Sequence, residues 1–176
     1  MIEALTQRIV RFIEIHNDRK QVSRDVMVFA LQSLLTNLLT IVLSLLIALL
    51  LGTLRETAMV LVAVAVLRNL TGGFHFKSAT LCVVVSTLIV VLIPFVPIDK
   101  ITGLVLTIIS VILVLLFAPS DLKGHTRISD RGLQIMKMAG LLVVCSNLVL
   151  QSPLLALSFF SVGLSLITWK GGTKHA

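Results

Sequence analysis

Residues 26–51 read VMVFALQSLLTNLLTIVLSLLIALLL, a run of 26 residues without a charge. At 1.5 Å of rise per residue, a helix of this length is longer than the ~30 Å hydrocarbon core of a bilayer. The whole chain of 176 residues has a similar character, because 57% of it is hydrophobic, only 13% is charged and its mean hydropathy is +1.07. These values exclude a soluble globular domain and predict an integral membrane protein.

Five more apolar segments accompany this run, and together they predict an all-α polytopic membrane protein with a single domain, residues 1–176. The six expected membrane segments are 26–51, 57–71, 79–96, 101–118, 138–150 and 154–169. The second has only 11 uncharged residues, 57–67, before Arg68, so it must extend to residue 71, tilt, or end among protein or water. Residues 119–137 form the longest polar interruption and are expected to be a loop.

The segment before the first membrane helix, residues 1–25, shows the spacing of an amphipathic helix. Charged residues such as Arg8, Arg11 and Glu14 separate its apolar residues, which are Ile2, Leu5, Ile9, Phe12 and Ile13. Two interpretations are open: an interfacial helix that lies on the bilayer, or a helix packed on the rest of the protein. The acidic residues of this segment argue against a cleavable signal peptide, so we expect it to be retained.

The distribution of basic residues predicts the orientation of the chain. With six segments and a cytosolic N-terminus, 13 of the 15 lysines and arginines face the cytosol, and only Arg55 and Lys100 face outward. We therefore expect a multi-pass cell-membrane protein with both termini in the cytosol and membrane lipids around it. Because the net charge of +7 is scattered between apolar segments, no nucleic-acid partner is expected.

One stretch, RNLTGGFHFKSATLC at residues 68–82, brings a Gly-Gly pair, one histidine and one cysteine together at the end of an apolar segment expected on the cytosolic side. Catalysis by a cysteine needs a thiolate, a base that generates it, and donors for the oxyanion that forms on the attacked carbonyl. Cys82 and His75 are the candidate nucleophile and base. The glycines at 72 and 73 permit positive φ and could present backbone amides to the oxyanion.

Helix geometry restricts how His75 and Cys82 can meet. On one continuous helix they would share a face but be separated by about 10.5 Å of rise, too far for a hydrogen bond of about 3 Å. The chain around Gly72–Gly73 must therefore fold back, with a new helix that begins between residues 76 and 79 and has Ser78 as its N-cap. Cys82 would then lie near the start of that helix, where the dipole favours a thiolate.

The same residues also have structural interpretations. The Gly-Gly pair could be only a turn, a loop histidine is usually just solvated, and Cys145, within an apolar run, is expected to be a packing residue. The two cysteines do not form a disulfide framework. His16 and His125 are alternative cytosolic bases, and a third catalytic member is left open among Asp18, Asp25, Asn69, Asp121 and Asp130.

Arg68 and the overall function also allow more than one interpretation. Arg68 could anchor its helix at the membrane surface or bind a carboxylate. A non-enzymatic transporter or scaffold would use the Gly-Gly loop as a hinge and Arg68 as an ion or lipid contact. No acidic, basic or histidine residue lies in the middle of a long apolar segment, which argues against transport. We expect neither a cofactor nor a metal.

The motifs resemble those of the accessory gene regulator B (AgrB) family, membrane cysteine endopeptidases of Gram-positive quorum sensing. The resemblance rests on Arg68, on Thr71-Gly72-Gly73-Phe74-His75, on Cys82, and on Ala118-Pro119-Ser120-Asp121-Leu122-Lys123. It implies that Cys82 is the nucleophile and His75 the general base.

The resemblance also implies the substrate. Such proteins cut a small AgrD-like propeptide on the cytosolic side and hold its central part as a thioester. An internal nucleophile of the peptide then closes a thiolactone or lactone ring, giving an autoinducing peptide; simple hydrolysis is the alternative. The acidic tail of such a propeptide could be attracted by Lys123, Arg127, Arg131 and Lys137. The loop lacks the second proline often found after the lysine in the family. A homodimer is also implied.

Overall fold

The structure is a computed structural model that describes residues 2–16, 24–73, 78–119 and 130–167. Its helices are α1 (Ile2–His16), α2 (Arg24–Leu51), α3 (Leu54–Thr71), α4 (Ala79–Leu92), α5 (Lys100–Phe117), α6 (Asp130–Leu150) and α7 (Pro153–Leu166). A short 3-10 turn, Ile93–Phe95, continues α4. The described ranges contain no β-strand, which confirms the all-α prediction.

Three of the described helices are long and apolar enough to cross a membrane: Arg24–Leu51, Lys100–Phe117 and Arg131–Leu150. Two other apolar helices are shorter, Ala79–Phe95 and Pro153–Leu166. The 14 residues of α7 extend over about 21 Å, less than the ~30 Å of a typical hydrocarbon core. The arrangement of six spanning segments therefore stays a prediction.

The loop expected at residues 119–137 is shorter than predicted, because α6 already begins at Asp130. Arg131 and Lys137 are consequently helical residues. The Lys137 Nζ donates to the Leu115 carbonyl oxygen at 2.6 Å, in the last turn of α5, where helix carbonyls lack partners of their own. This contact gives Lys137 a structural role, because it ties the first half of α6 to the end of α5.

The start of α3 also differs from the expectation, whereas its end does not. The segments expected at 26–51 and 57–71 leave residues 52–56 between them, but only Gly52 and Thr53 separate the two helices, since α3 begins at Leu54. Its C-terminal end extends to Thr71, which is one of the solutions that the short apolar run allowed.

Many of the buried residues that the structure describes are small or bear a hydroxyl, and many large apolar residues lie on the surface. The buried polar residues are Thr6, Thr36, Ser44, Thr57, Thr71, Thr87, Thr107, Ser110, Asn147 and Ser158. Leu50 and Val149, in contrast, are 86% and 85% exposed. Helices in lipid gain stability from close approach of their backbones rather than from removing apolar surface from water. The distribution therefore fits a protein surrounded by hydrocarbon.

The centre of the helical bundle is formed by α7 together with α3, α5 and α6. Their contact includes an apolar cluster of buried side chains: Ala63, Leu67, Val114, Ala118, Val144, Phe159, Val162 and Leu166. Gly163 lets α7 approach α5 closely, because a Cβ there would lie 3.1 Å from the Leu113 Cδ1. The helix α2 lies at the periphery and buries few residues beyond Thr36, Ser44 and Ala48.

The N-terminal helix packs on the rest of the protein, as one of its two interpretations expected, and its position at a bilayer stays a prediction. The side chains of Thr6 and Val10 are fully buried, and α1 packs on α2 and also contacts α4. Leu5 and Phe12 are 50% and 62% exposed, which leaves an apolar flank suited to the membrane interface.

A buried amide joins the turn between α6 and α7 to α5. The Asn147 Nδ2 donates to the Thr107 Oγ1 at 2.9 Å and to the Ser152 carbonyl oxygen at 3.2 Å. Its Oδ1 accepts from the Ser152 N–H at 3.0 Å. Gln151 adopts a φ of +48° between them, a conformation that non-glycine residues rarely adopt. The side chain of Asn147 thus connects the turn between α6 and α7 to Thr107 of α5 through hydrogen bonds.

Candidate active site

Backbone geometry ends α3 at the double glycine. Gly72 has a φ of +77° and Gly73 a φ of +152°, both in the region that favours glycine. The Gly72 N–H donates to the Arg68 carbonyl oxygen at 2.8 Å, and the Thr71 Oγ1 donates to the Leu67 carbonyl oxygen at 2.9 Å. The positive φ expected of the two glycines is confirmed.

The end of α3 is also held in place by its neighbours. Gly73 is buried, and a Cβ there would lie 2.8 Å from the Ser165 Oγ of α7 and 3.7 Å from the Arg68 Nε. On α6, a Cβ on Gly140 would lie 2.8 Å from the Thr71 Cγ2. The glycine turn is therefore packed against α6 and α7, with Arg68 beside it in the last turn of α3.

The helix that carries Cys82 begins where the geometric argument required. Ser78 has the extended conformation of an N-cap, and its Oγ accepts from the Leu81 N–H at 3.4 Å. The Cys82 N–H donates to the Ser78 carbonyl oxygen at 3.1 Å, so Cys82 follows the first turn directly. Because α3 ends at Thr71 and α4 begins at Ala79, no unbroken helix joins Gly73 to Cys82.

An unexpected carboxylate lies at the same helix start. The Glu3 Oε1 of α1 accepts from the Ala79 N–H at 3.3 Å, across 76 positions of sequence. Sequence reasoning missed Glu3, as it missed Ser165, because both partners are distant in sequence from the reactive stretch. The amphipathic pattern located α1 but contained no signal for its contact with α4.

The structure describes only some of the remaining candidate residues. His75, Lys123 and Arg127 lie outside the described residues, so the pairing of His75 with Cys82 stays a prediction. Arg131 is exposed in the first turn of α6. Cys82 and Cys145 are both partly exposed free thiols, which confirms that they do not form a disulfide.

One end of the helical bundle gathers these features. It contains the glycine turn, the end of α7 at Ser165, the middle of α6 at Gly140, and the contact between Lys137 and Leu115. We call it the site end. The hydrogen bond between Glu3 and Ala79 also brings the starts of α1 and α4 together.

The fold and this site define a class of small helical membrane proteins in which a cysteine near the start of one helix follows a double-glycine turn at the end of another. Comparison with protein families then gives a specific result. The model of the Accessory gene regulator B (AgrB) family matches residues 2–171, so the chain belongs to the AgrB family. Comparisons with curated proteins and with solved structures give no match. Membership of this family suggests a role in the processing of an autoinducing peptide.

Proposed function

We propose that the protein is a membrane cysteine endopeptidase that cleaves a small AgrD-like propeptide at the cytosolic face and promotes its cyclisation. The observation that carries the proposal is the position of Cys82, a partly exposed thiol near the start of α4, in a chain that matches the AgrB family almost throughout.

The proposed reaction has two acyl transfers. The Cys82 Sγ attacks the scissile carbonyl while His75 accepts the thiol proton. The tetrahedral intermediate collapses, the C–N bond breaks, and His75 gives the proton to the leaving amine. The Gly73 amide is the proposed donor to the oxyanion, because the Gly72 N–H already donates to the Arg68 carbonyl oxygen. The product of this step is a thioester between the peptide and Cys82.

In the second transfer a thiol of the bound peptide attacks the thioester carbonyl. A thiolactone bond forms, the bond to the Cys82 Sγ breaks, and the enzyme thiol recovers a proton. No water is consumed between the two transfers. Cyclisation is favoured over hydrolysis when the peptide's own nucleophile is held close to the thioester. Its effective concentration there is then high enough for it to attack before water does.

Sidedness follows from charge. The site end includes the cationic residues Arg68 and Lys137, and most basic residues of the chain fall on the side to which it belongs in a six-segment arrangement. We therefore place the site in the cytosol. Arg68 and the exposed Arg131, with Lys123 and Arg127, are the proposed contacts for an acidic propeptide tail. The bond from Lys137 to Leu115 makes Lys137 less suited to this task.

The test uses the purified protein in lipid vesicles with a synthetic AgrD-like propeptide. Mass spectrometry should detect a hydroxylamine-sensitive acyl adduct on Cys82 and a cyclic product. Cys82→Ser should abolish both, and His75→Ala should slow the adduct by about 10²–10⁴-fold, the usual contribution of a general base. Cys145→Ser is the matched control and should retain activity.

Different failures have different meanings. A linear peptide as sole product would leave the endopeptidase but refute cyclisation. Loss of activity in Cys145→Ser as severe as that in Cys82→Ser would remove the assignment of the nucleophile. Absence of any cleavage by the wild type would refute the enzymatic proposal altogether.

A further inference from the structure

The start of α4 receives hydrogen-bond acceptors from two sources. The first amides of a helix have no partners within the helix and need acceptors from outside it. Ser78 supplies one of them to Leu81, as a local N-cap does. The Ala79 N–H, at the first position of α4, donates instead to the carboxylate of Glu3 on α1. The first turn of α4, which precedes Cys82, is thus capped in part by a residue of α1.

The helix α1 is anchored in a way that holds Glu3 in place. Thr6 and Val10, one and two turns after Glu3, are fully buried. Between these two residues, the Gln7 Oε1 accepts a hydrogen bond at 3.0 Å from the Arg24 Nη2 at the start of α2. These contacts attach α1 to the body of the protein, and Glu3 extends from its first turn to α4.

We propose that Glu3 is a positioning residue for Cys82, because it caps α4 from α1 and fixes the turn that presents the thiol. The role assigned to Cys82 rests on the proposed function. A carboxylate is a strong acceptor at a helix N-terminus, where it also complements the positive end of the dipole. Loss of this acceptor frays the start of α4, so Cys82 becomes more accessible to a small reagent but is held less well for attack on a peptide.

The experiment uses the full chain in lipid vesicles and three variants. Glu3→Ala removes the acceptor, and Glu3→Gln retains an oxygen at the same position without the charge. Glu14→Ala is the matched control, since Glu14 lies on the same helix but is 3.8 Å from the Arg24 Nε at the start of α2. Surface ion pairs of this kind contribute little to stability.

The first measurement is alkylation by N-ethylmaleimide, with Cys145 in the same molecule as the internal reference. We expect Glu3→Ala to raise the alkylation rate of Cys82 by roughly 3- to 10-fold, the equilibrium equivalent of one ordinary hydrogen bond, and to leave Cys145 unchanged. Glu3→Gln should stay within about twofold of the wild type, because a neutral acceptor retains part of the bond. Glu14→Ala should be unchanged.

The second measurement is cleavage of the synthetic propeptide. In Glu3→Ala, kcat should fall by a similar factor with little change in KM, and Glu3→Gln should restore most of it. Equal rates in Glu3→Ala and the wild type would overturn the proposal, and so would a parallel rise in the alkylation of both cysteines, which reports general loosening. If Glu3→Gln were as impaired as Glu3→Ala, the hydrogen bond would not be the cause and the proposal would fail.

The two proposals fail in distinguishable ways. If the wild type does not cleave the peptide, the proposed function is wrong, while the alkylation rates still report whether Glu3 holds Cys82 in place. If the wild type cleaves the peptide and Glu3→Ala cleaves it equally fast, the proposed function stands and the positioning role of Glu3 is refuted.

Discussion

The substitution Asn147→Ala removes the side chain that joins the α6–α7 turn to α5. It eliminates the interhelical bond to Thr107 and both bonds to the backbone of Ser152. Hydrogen bonds between membrane helices contribute about 0.6 kcal/mol on average. Each bond to Ser152 contributes about 0.5–1.5 kcal/mol, and the substitution leaves both the N–H and the carbonyl oxygen of Ser152 without the Asn147 side chain. We therefore expect the free energy of unfolding to fall by about 2–3.5 kcal/mol.

The assay is titration of the folded protein in mixed micelles with sodium dodecyl sulfate, monitored by circular dichroism and by cysteine accessibility. The matched control is Asn37→Ala, the same chemical change at an exposed position of α2, which should alter the free energy of unfolding by less than about 0.5 kcal/mol. Thr107→Val removes the interhelical partner of Asn147 and also the bond from the Thr107 Oγ1 to the Gly103 carbonyl oxygen, whose loss the double-mutant cycle cancels. The double-mutant cycle of Asn147→Ala with Thr107→Val should give a coupling of about 0.5–1 kcal/mol.

The reasoning would be refuted by an Asn147→Ala variant as stable as Asn37→Ala. A coupling of zero with Thr107→Val would be a narrower failure: it would show that the hairpin bonds to Ser152, and not the contact with α5, carry the stability. Circular dichroism and cysteine accessibility should give the same midpoint if the protein unfolds in one step.

Two further predictions concern helix contacts and helix caps. Gly140→Ala should cost about 1–3 kcal/mol in the same titration because its Cβ would lie 2.8 Å from the Thr71 Cγ2, whereas Gly103→Ala, whose nearest neighbours lie at 3.8 Å, should cost little. The Thr102 side chain, followed by its backbone N–H, lowers the pKa of Asp99 from 3.8, so this cap stabilises the fold above pH 3.8 and is lost as the pH falls through the lowered pKa. Thr102→Val should raise that pKa in a carbon-13 NMR titration, and an unchanged value would contradict the assignment.

Local features of the fold were readable from the sequence. An uncharged run of 26 residues dictates α2, and the same argument locates most of α4 and α5. Helix geometry required a break between His75 and Cys82, and the structure has α3 ending before Gly72 and α4 beginning after Ser78. These features depend on hydrophobic length, positive φ and N-capping, all of which act within a few residues.

Contacts between distant segments could not be predicted in this way. Residues 130–137 are polar enough to resemble a loop, and no pattern in them indicates the bond from Lys137 to Leu115. The interior is also difficult to predict, because the usual rule that apolar residues are buried loses its force in lipid. Nothing in the sequence around Glu3 or Ala79 indicates that they meet.

The contact between Gly73 and Ser165 has a consequence for biosynthesis. A ribosome makes α3 and the glycine turn long before α7, so the turn lacks its packing partner on α7 while the intervening helices are inserted. The helix α4 packs mainly on α2, with further contacts to α1 and α3, and all three are made before it. We therefore expect the glycine turn to acquire its final neighbours only after α7 has entered the membrane, later than the helix that carries Cys82.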